Sequence, residues 1–323
     1  MALPQYFLQE LKSRSEIGNI ISGYVSLKKR GKNLTGLCPF HNEKTPSFTV
    51  YPENGSFYCF GCNTGGDVIT FVMNIENLDY IEAVKFLAQK AGLTMPSEGI
   101  DDSMSRLRTR ILEINRETAR FFHSMLVAGA GSKAWEYLKN RGLSTATIKH
   151  FGLGYAPQEG FALTNHLKNK GYKKDEMLQA NVLSLSKKGN LYDRFRDRIM
   201  FPIIDLRGNV VAFGGRIMTD EKPKYINTSD TPVYHKSDGL FAMNFAKSSK
   251  NIASLILAEG YMAVLSLHHS GFDNTIASLG TSLTIQPAKD IKRYTEEVII
   301  CYDTDEAGQR AAQRAITRIK DAG

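Results

Sequence analysis

The chain has 323 residues, 42% hydrophobic and 23% charged, with a formal net charge of +8 and a pI near 9.1. That length supports two or three domains with substantial cores, and the longest apolar runs are too short to cross a bilayer, which argues against a membrane partner. Charges interleaved from Glu10 onward replace a signal-peptide core, and with only four cysteines a reducing, cytoplasmic setting is expected; the excess positive charge points to a polyanionic partner.

The first predicted element is one opening amphipathic helix carrying Leu8, Leu11, Ile17, Ile20 and Ile21. Lys28, Lys29, Arg30 and Lys32 follow. Next come two short knuckles, Cys38-Pro-Phe-His41 and Cys59-Phe-Gly-Cys62, separated by seventeen residues. Three thiolates and an imidazole at this spacing suit a tetrahedral, closed and therefore structural zinc site; the competing reading is a disulfide or stray buried thiols. Between the knuckles, Phe48 and Val50, then Glu53-Asn54-Gly55, then Phe57 and Tyr58 predict a hairpin, completing a zinc ribbon. The basic run beside Phe48, Tyr51, Phe57 and Tyr58 suits stacking of exposed bases, with fewer than half of these rings spared from the small core. A helix over 80–91 ends at Gly92, and residues 95–102 have linker composition, so a boundary is placed near residue 100.

A long helical pattern is carried by Leu107, Ile111, Leu112, Phe121, Phe122 and Met125, followed by short helices around Trp135–Leu138 and Thr145–Phe151. Strands are predicted over 200–204 and 210–213, joined by an Arg207-Gly-Asn209 turn. From Lys187 to Lys224 nine lysines and arginines face five acids, and Arg194, Arg196 and Arg198 alternate as if on one face of an extended segment. Such a face binds phosphates or is simply solvated and paired with Asp193 and Asp197; both readings stay open. Arg141, before Gly142, likewise suits a phosphate or a helix dipole. From about Ala253 the pattern is βαβαβα, which predicts a mostly parallel sheet, with Cys301 inside its last apolar strand. Cys301 is the one cysteine outside the ribbon.

Glu259 follows the strand over 255–258, and Asp303 and Asp305 follow the strand over 298–302. Both sit at strand carboxyl ends, where open α/β sheets bind ligands, so the acids are expected to converge across the 44 residues separating Glu259 from Asp303. Hard oxygen donors suit magnesium and phosphoryl transfer, whereas capping of helix N-termini is the alternative use for the same acids.

Leu-Ala-Glu259-Gly260-Tyr-Met and Tyr-Asp303-Thr-Asp305-Glu-Ala-Gly308 resemble the two acidic motifs of the Toprim fold, and the knuckles resemble those of bacterial DnaG-type replicative primases. Tyr192 to Pro202, Phe213-Gly-Gly-Arg216 and Pro223-Lys-Tyr-Ile-Asn227 resemble the basic signatures of that family's polymerase domain, so the likeness covers nearly all of the chain. It implies a multidomain α+β and α/β protein: a zinc ribbon over 1–100, a mixed α+β basic domain over 101–250 and a Toprim-like parallel α/β sheet, incomplete, over 251–323. It further implies a DNA primase, a nucleotidyltransferase making short RNA primers on a single-stranded DNA template from ribonucleoside triphosphates. Glu259, Asp303 and Asp305 would hold catalytic magnesium or manganese, and Arg216, Lys224 and Lys236 would line the template groove.

Two departures from the family pattern stand out. Ala263 occupies the place of an aspartate common in the family, and a further Asp-x-Asp pair and a helicase-binding region are expected only beyond Gly323, so the chain reads as a truncated product. Two other readings remain: another Toprim enzyme, such as a topoisomerase or nuclease, or a non-catalytic module that binds single-stranded DNA.

Overall fold

The computed structural model describes residues 3–41, 43–76, 78, 80–96, 102–249, 253–279 and 283–322. The chain divides into one compact unit over 1–102 together with 292–294 and a second over 103–291 and 295–323. Most of the predicted linker 95–102 lies outside the described residues.

The first unit contains α1 (Gln5–Arg14), α2 (Ile17–Ser22), β1 (Lys28–Arg30), β2 (Asn33–Gly36), β3 (Phe48–Tyr51), β4 (Ser56–Cys59), β5 (Gly65–Asp67), α3 (Val68–Ile75) and α4 (Tyr80–Lys90). The single opening helix expected from the sequence is two, because the backbone leaves helical geometry at Ser15 and Glu16, while Phe7, Leu11, Ile17 and Ile21 still bury together. The five strands form one antiparallel sheet in sequential order. At the β3–β4 turn, Gly55 takes the left-handed conformation that closes the hairpin with least strain. Phe48, Val50, Phe57 and Cys59 alternate inward from this hairpin. They meet α3, whose Phe71 packs edge-on to Phe57 at 5.5 Å. Asp67 caps α3 by accepting from the Thr70 amide at 2.9 Å and pairs with Lys12 at 2.8 Å.

The second unit begins with α5 (Asp102–Val127), α6 (Ser132–Asn140), α7 (Thr145–His150), β6 (Gly154–Ala156), α8 (Ala162–Asn169), α9 (Lys174–Gln179), β7 (Leu183–Leu185) and β8 (Leu191–Asp193). It continues with β9 (Arg198–Ile204), β10 (Val210–Ile217), β11 (Tyr225–Asn227), β12 (Leu240–Phe241) and α10 (Met243–Ala246). The last elements are β13 (Ser254–Ala258), α11 (Tyr261–His269), β14 (Thr275–Ser278), α12 (Ile285–Lys292), β15 (Glu297–Cys301) and α13 (Glu306–Asp321). One sheet is antiparallel in the order β11-β10-β9-β6; the other has the order β12-β14-β13-β15, with β14 and β15 parallel to β13 and β12 antiparallel.

These two sheets share a core. Phe201 of β9 stacks on Tyr261 of α11 at 4.7 Å, and Phe241 of β12 meets the same ring at 4.8 Å. Gly214 is the residue that admits this ring: a Cβ there would lie 2.5 Å from the Tyr261 hydroxyl. The hydroxyl donates to Asn227 at 2.9 Å, and the Asn227 amide in turn donates to the Leu279 carbonyl at 3.2 Å, so β11 is tied to the loop after β14. Cys301, expected inside its strand, is exposed at the end of β15, which pairs only with β13 among the described strands. Among the described residues no helix is long and apolar enough to cross a membrane.

Candidate metal centres and nucleic-acid surface

The sheet of the first unit delivers the four knuckle residues to one point. Cys38 follows β2, Cys59 ends β4, and His41 and Cys62 complete a group whose ligand atoms all lie within 4.8 Å of one another. Cys38 and Cys62 sulfurs are 3.8 Å apart, and Cys59 Sγ is 3.7 Å from His41 Nδ1. With zinc–sulfur bonds of about 2.3 Å, tetrahedral geometry requires sulfur–sulfur edges of about 3.8 Å, so the donor set fits zinc. The cysteines are free, which answers the disulfide alternative. Burial pushes the Cys38 thiol up, whereas at Cys59 burial is outweighed by the Ser47 hydroxyl and the Cys62 and Gly61 amides, which hold that thiol low.

The carboxylates have a different setting. Ala258 and Cys301 are paired neighbours in parallel strands, so the next turns bring Glu259 and Asp303 together, and the Asp303 amide donates to Glu259 Oε2 at 3.1 Å. Asp305 caps α13, accepting from the Gly308 amide at 2.7 Å. Capping therefore describes Asp305 alone; the residue at the start of α11 is Gly260, and Asp303 lies outside the helix. Gly308 is required here, because a Cβ would sit 2.1 Å from the Asp303 carbonyl oxygen. All three acids are exposed. They form a rim, while the knuckle set is the only convergent group of three or more metal-ligating side chains among the described residues.

The basic residues divide sharply. Arg194, Arg196 and Arg198 do not share an extended face, since β8 ends at Asp193 and Asp197 takes a left-handed conformation (φ 48°) that breaks the chain direction before β9. Asp193 is drawn inside, accepting from the Leu163 and Thr164 amides at the start of α8, and Asp197 accepts from the Tyr155 hydroxyl, so neither pairs with an arginine as expected. Arg198 is buried and donates to the carbonyls of Gly215, Lys224 and Pro223, which makes it an internal brace and removes it from any phosphate-binding surface. Arg194 is half-buried against Asn227 and Ser229, leaving Arg196 as the exposed member, lying over the Tyr192 ring.

Elsewhere the cations and rings interleave. Arg141, at the end of α6, lies 5.4 Å from the Tyr137 ring; Arg216 of β10 lies 5.2 Å from Tyr137 and 5.3 Å from Tyr225. Tyr225 stacks in turn on Tyr261, two residues after Glu259. The Nε of Arg216 and the hydroxyl of Tyr137 are buried without a hydrogen-bond partner in the structure. Lys224 is exposed beside this ladder in sequence, and Lys236 is half-buried with its amide on Asp230. In the first unit, Lys29 and Arg30 are exposed on β1; Phe48 and Phe57 are core, and Tyr51 and Tyr58 are half-buried. Sequence reasoning missed Phe60, 65% exposed and edge-on to Tyr58 at 5.0 Å. Its place inside the second knuckle, between the ligands Cys59 and Cys62 whose side chains turn to the shared point, was the available signal.

Three family models match the chain: a CHC2 zinc finger over residues 3–103, the N-terminal domain of the DNA primase catalytic core over 121–247, and a Toprim-like model over 256–323. The solved zinc-binding and RNA polymerase domains of the Aquifex aeolicus primase are 37% identical, with a TM-score of 0.63, covering 100% of this chain and 78% of that one. The chain belongs to the bacterial DnaG-type primase family. A DnaG primase catalytic domain solved bound to single-stranded DNA is 35% identical, with a TM-score of 0.61 over 66% of this chain and 67% of that one. DNA primases of Clostridium acetobutylicum and Pseudomonas putida are 41% and 42% identical over 100% and 97% of this chain. The chain spans about half the length of these curated relatives (54% and 48%). The expected combination of zinc ribbon, mixed α+β primase core and Toprim-like α/β sheet is thus the one found.

Proposed function

We propose that this chain carries the ribbon and polymerase parts of a DNA primase, with a zinc-ribbon domain over 1–100, a basic subdomain over 101–250 and a Toprim subdomain over 251–323. The reading is that it makes short RNA primers on single-stranded DNA in the cytoplasm from ribonucleoside triphosphates, working beside a replicative helicase. The single observation that carries it is the contact between Glu259 and the Asp303 amide at the carboxyl edge of two adjacent parallel strands. That edge presents exposed, hard oxygen donors, the chemistry that magnesium or manganese accepts while keeping positions for substrate phosphates.

Glu259, Asp303 and Asp305 would hold the ions, Asp303 and Glu259 locked in register by the amide contact and Asp305 by its capping bond. Bound there, the ions would activate the attacking hydroxyl and neutralise charge on the phosphates. In the reaction a primer 3′-oxygen forms a bond to the α-phosphorus of the incoming triphosphate, the bond from that phosphorus to the β-bridging oxygen breaks, pyrophosphate leaves, and the hydroxyl proton passes to water. Arg141, Lys224, Lys236 and Arg196 supply positive charge for template and nucleotide phosphates, whereas Arg216, as buried as Arg198 and donating to the Tyr225 hydroxyl at 2.6 Å, braces the Tyr137–Tyr225 ladder from within. Lys29, Arg30 and the Phe60–Tyr58 pair offer the ribbon's contribution to single-stranded DNA, charge beside an exposed ring.

The test is primer synthesis on single-stranded DNA with magnesium and ribonucleotides by the full-length protein and its Glu259→Gln variant. Metal-dependent RNA product lost in the variant, with DNA binding retained, is the expected result. Equal DNA binding with no product from either protein would replace the enzyme reading by a binding module.

A further inference from the structure

Glu43 sits at the centre of the knuckle without being one of its expected ligands. Its Oε2 lies 3.2 Å from His41 Nε2, and both side chains are nearly buried, 11% and 14% exposed. Its Oε1 accepts from the Cys38 amide at 2.7 Å and the Ser47 amide at 3.0 Å, while Oε2 also accepts from the Ser47 hydroxyl at 2.5 Å. Ser47 Oγ in turn lies 3.2 Å from Cys59 Sγ. On the flank of the imidazole is Gly61, where a Cβ would come within 2.6 Å of His41 Nε2 and 2.9 Å of Ser47 Oγ. The imidazole is therefore held on one flank by bare backbone, on one edge by a carboxylate and on the other by thiols.

An ionised carboxylate only accepts hydrogen bonds, so the nitrogen facing it must carry the proton, and the other nitrogen of the neutral ring keeps its lone pair. Here the nitrogen facing the sulfurs is Nδ1. We propose that Glu43 is the positioning residue of the zinc knuckle: it fixes His41 as the Nε2–H tautomer, aims Nδ1 at the metal, and ties the Cys38 and Ser47 arms to the same carboxylate. The inference rests on the zinc reading of Cys38, His41, Cys59 and Cys62. Ser47 extends the arrangement, because its hydroxyl touches both Glu43 and the sulfur of a second ligand, so one outer carboxylate reaches three of the four metal-binding positions. Outer partners of this kind set both ring orientation and ligand basicity.

Zinc affinity of the full chain is read by competition with a colorimetric chelator, and the tautomer by long-range proton–nitrogen correlation on 15N-histidine-labelled, zinc-loaded protein. Wild type is expected to take up one zinc with His41 protonated on Nε2 and metallated on Nδ1. Glu43→Gln keeps an oxygen for the two amides but turns an NH2 toward His41 and Ser47, so zinc affinity should fall about 10–100-fold and the single tautomer should be lost. Ser47→Ala, which leaves the histidine contact in place, should weaken zinc less and preserve the tautomer. Unchanged affinity in Glu43→Gln overturns the proposal. So does zinc on Nε2 in the wild type, a measurement that does not depend on the variant folding. Wild-type protein that binds no zinc would instead overturn the zinc reading on which the proposal stands.

Discussion

The knuckle and the acidic rim are both clusters of metal-ligating residue types at strand ends, yet they differ in how much the fold completes. At the knuckle, four ligand atoms already lie within 4.8 Å, two of their residues buried and two half-buried, and Glu43 and Ser47 brace them. At the rim, three exposed acids are aligned by two amide contacts and do not converge as a set. On the proposed function the difference follows from use: a structural ion repays a closed shell with folding energy, whereas an ion that must bind substrate phosphates needs a site left open to them. Substitutions at the first site should therefore cost the fold, and substitutions at the second should cost turnover.

The largest effect is expected at Cys62. Structural zinc is worth on the order of 10 kcal/mol to a small metal domain, so Cys62→Ser should empty the site and abolish amide-exchange protection across β1 to β5, as read by zinc content and hydrogen exchange. Protection retained without zinc would erase the distinction drawn here. Asp303→Asn comes next: primer synthesis should drop by about a thousandfold, while stability changes by less than about 0.5 kcal/mol, because the side chain is exposed. A substantial drop in melting temperature would show that the rim is structural after all.

Gly308→Ala probes the support beneath the rim. Its methyl must displace the Asp303 carbonyl, at a cost of about 1–3 kcal/mol, and activity should fall more than stability because Asp303 and Asp305 move with it. Chemical denaturation alongside primer assays separates the two losses. The smallest effect belongs to the α3 cap, remote from both acids and thiols in its chemistry. Burial opposes ionisation of Asp67, but Lys12 and Thr70 outweigh it and hold the carboxyl below its ordinary range. A depressed folded-state pKa stabilises above the unfolded value of about 3.9 and is lost as pH falls through the folded value. Asp67→Ala should thus cost about 1 kcal/mol at neutral pH, with the gap to wild type closing below about pH 4. A gap independent of pH would mean that the carboxylate charge is irrelevant to the cap.

What the sequence disclosed tracks how local the physics is. The β3–β4 hairpin was legible because Phe48, Val50 and Phe57 alternate around a glycine that can turn left-handed. Likewise Glu259 and Asp303 were placed together by parallel-strand topology alone, a rule that needs no side-chain contact. By contrast, α3 was missed because it is only about two turns long and follows directly on β5, so that Val68-Ile-Thr-Phe-Val72, rich in β-branched and aromatic residues, reads equally well as a strand. A two-residue strand such as β12 has no period at all, and the block containing it was assigned to the preceding region. The Arg194–Arg198 error came from one residue, Asp197, whose left-handed backbone is invisible in an alternation count. Glu43 was passed over for a related reason: outer partners of a metal follow no fixed spacing.

The Tyr261 ring has a consequence for anyone wishing to dissect the polypeptide. Because it lies between Phe201 and Phe241 and is anchored through Asn227, the acidic β/α segment is no cassette that can be excised or grafted elsewhere. Cutting the gene ahead of β13 would strip β12 and all three rings packed on Tyr261, so the excised piece should emerge molten, and swaps between homologues should cross over ahead of α5 instead.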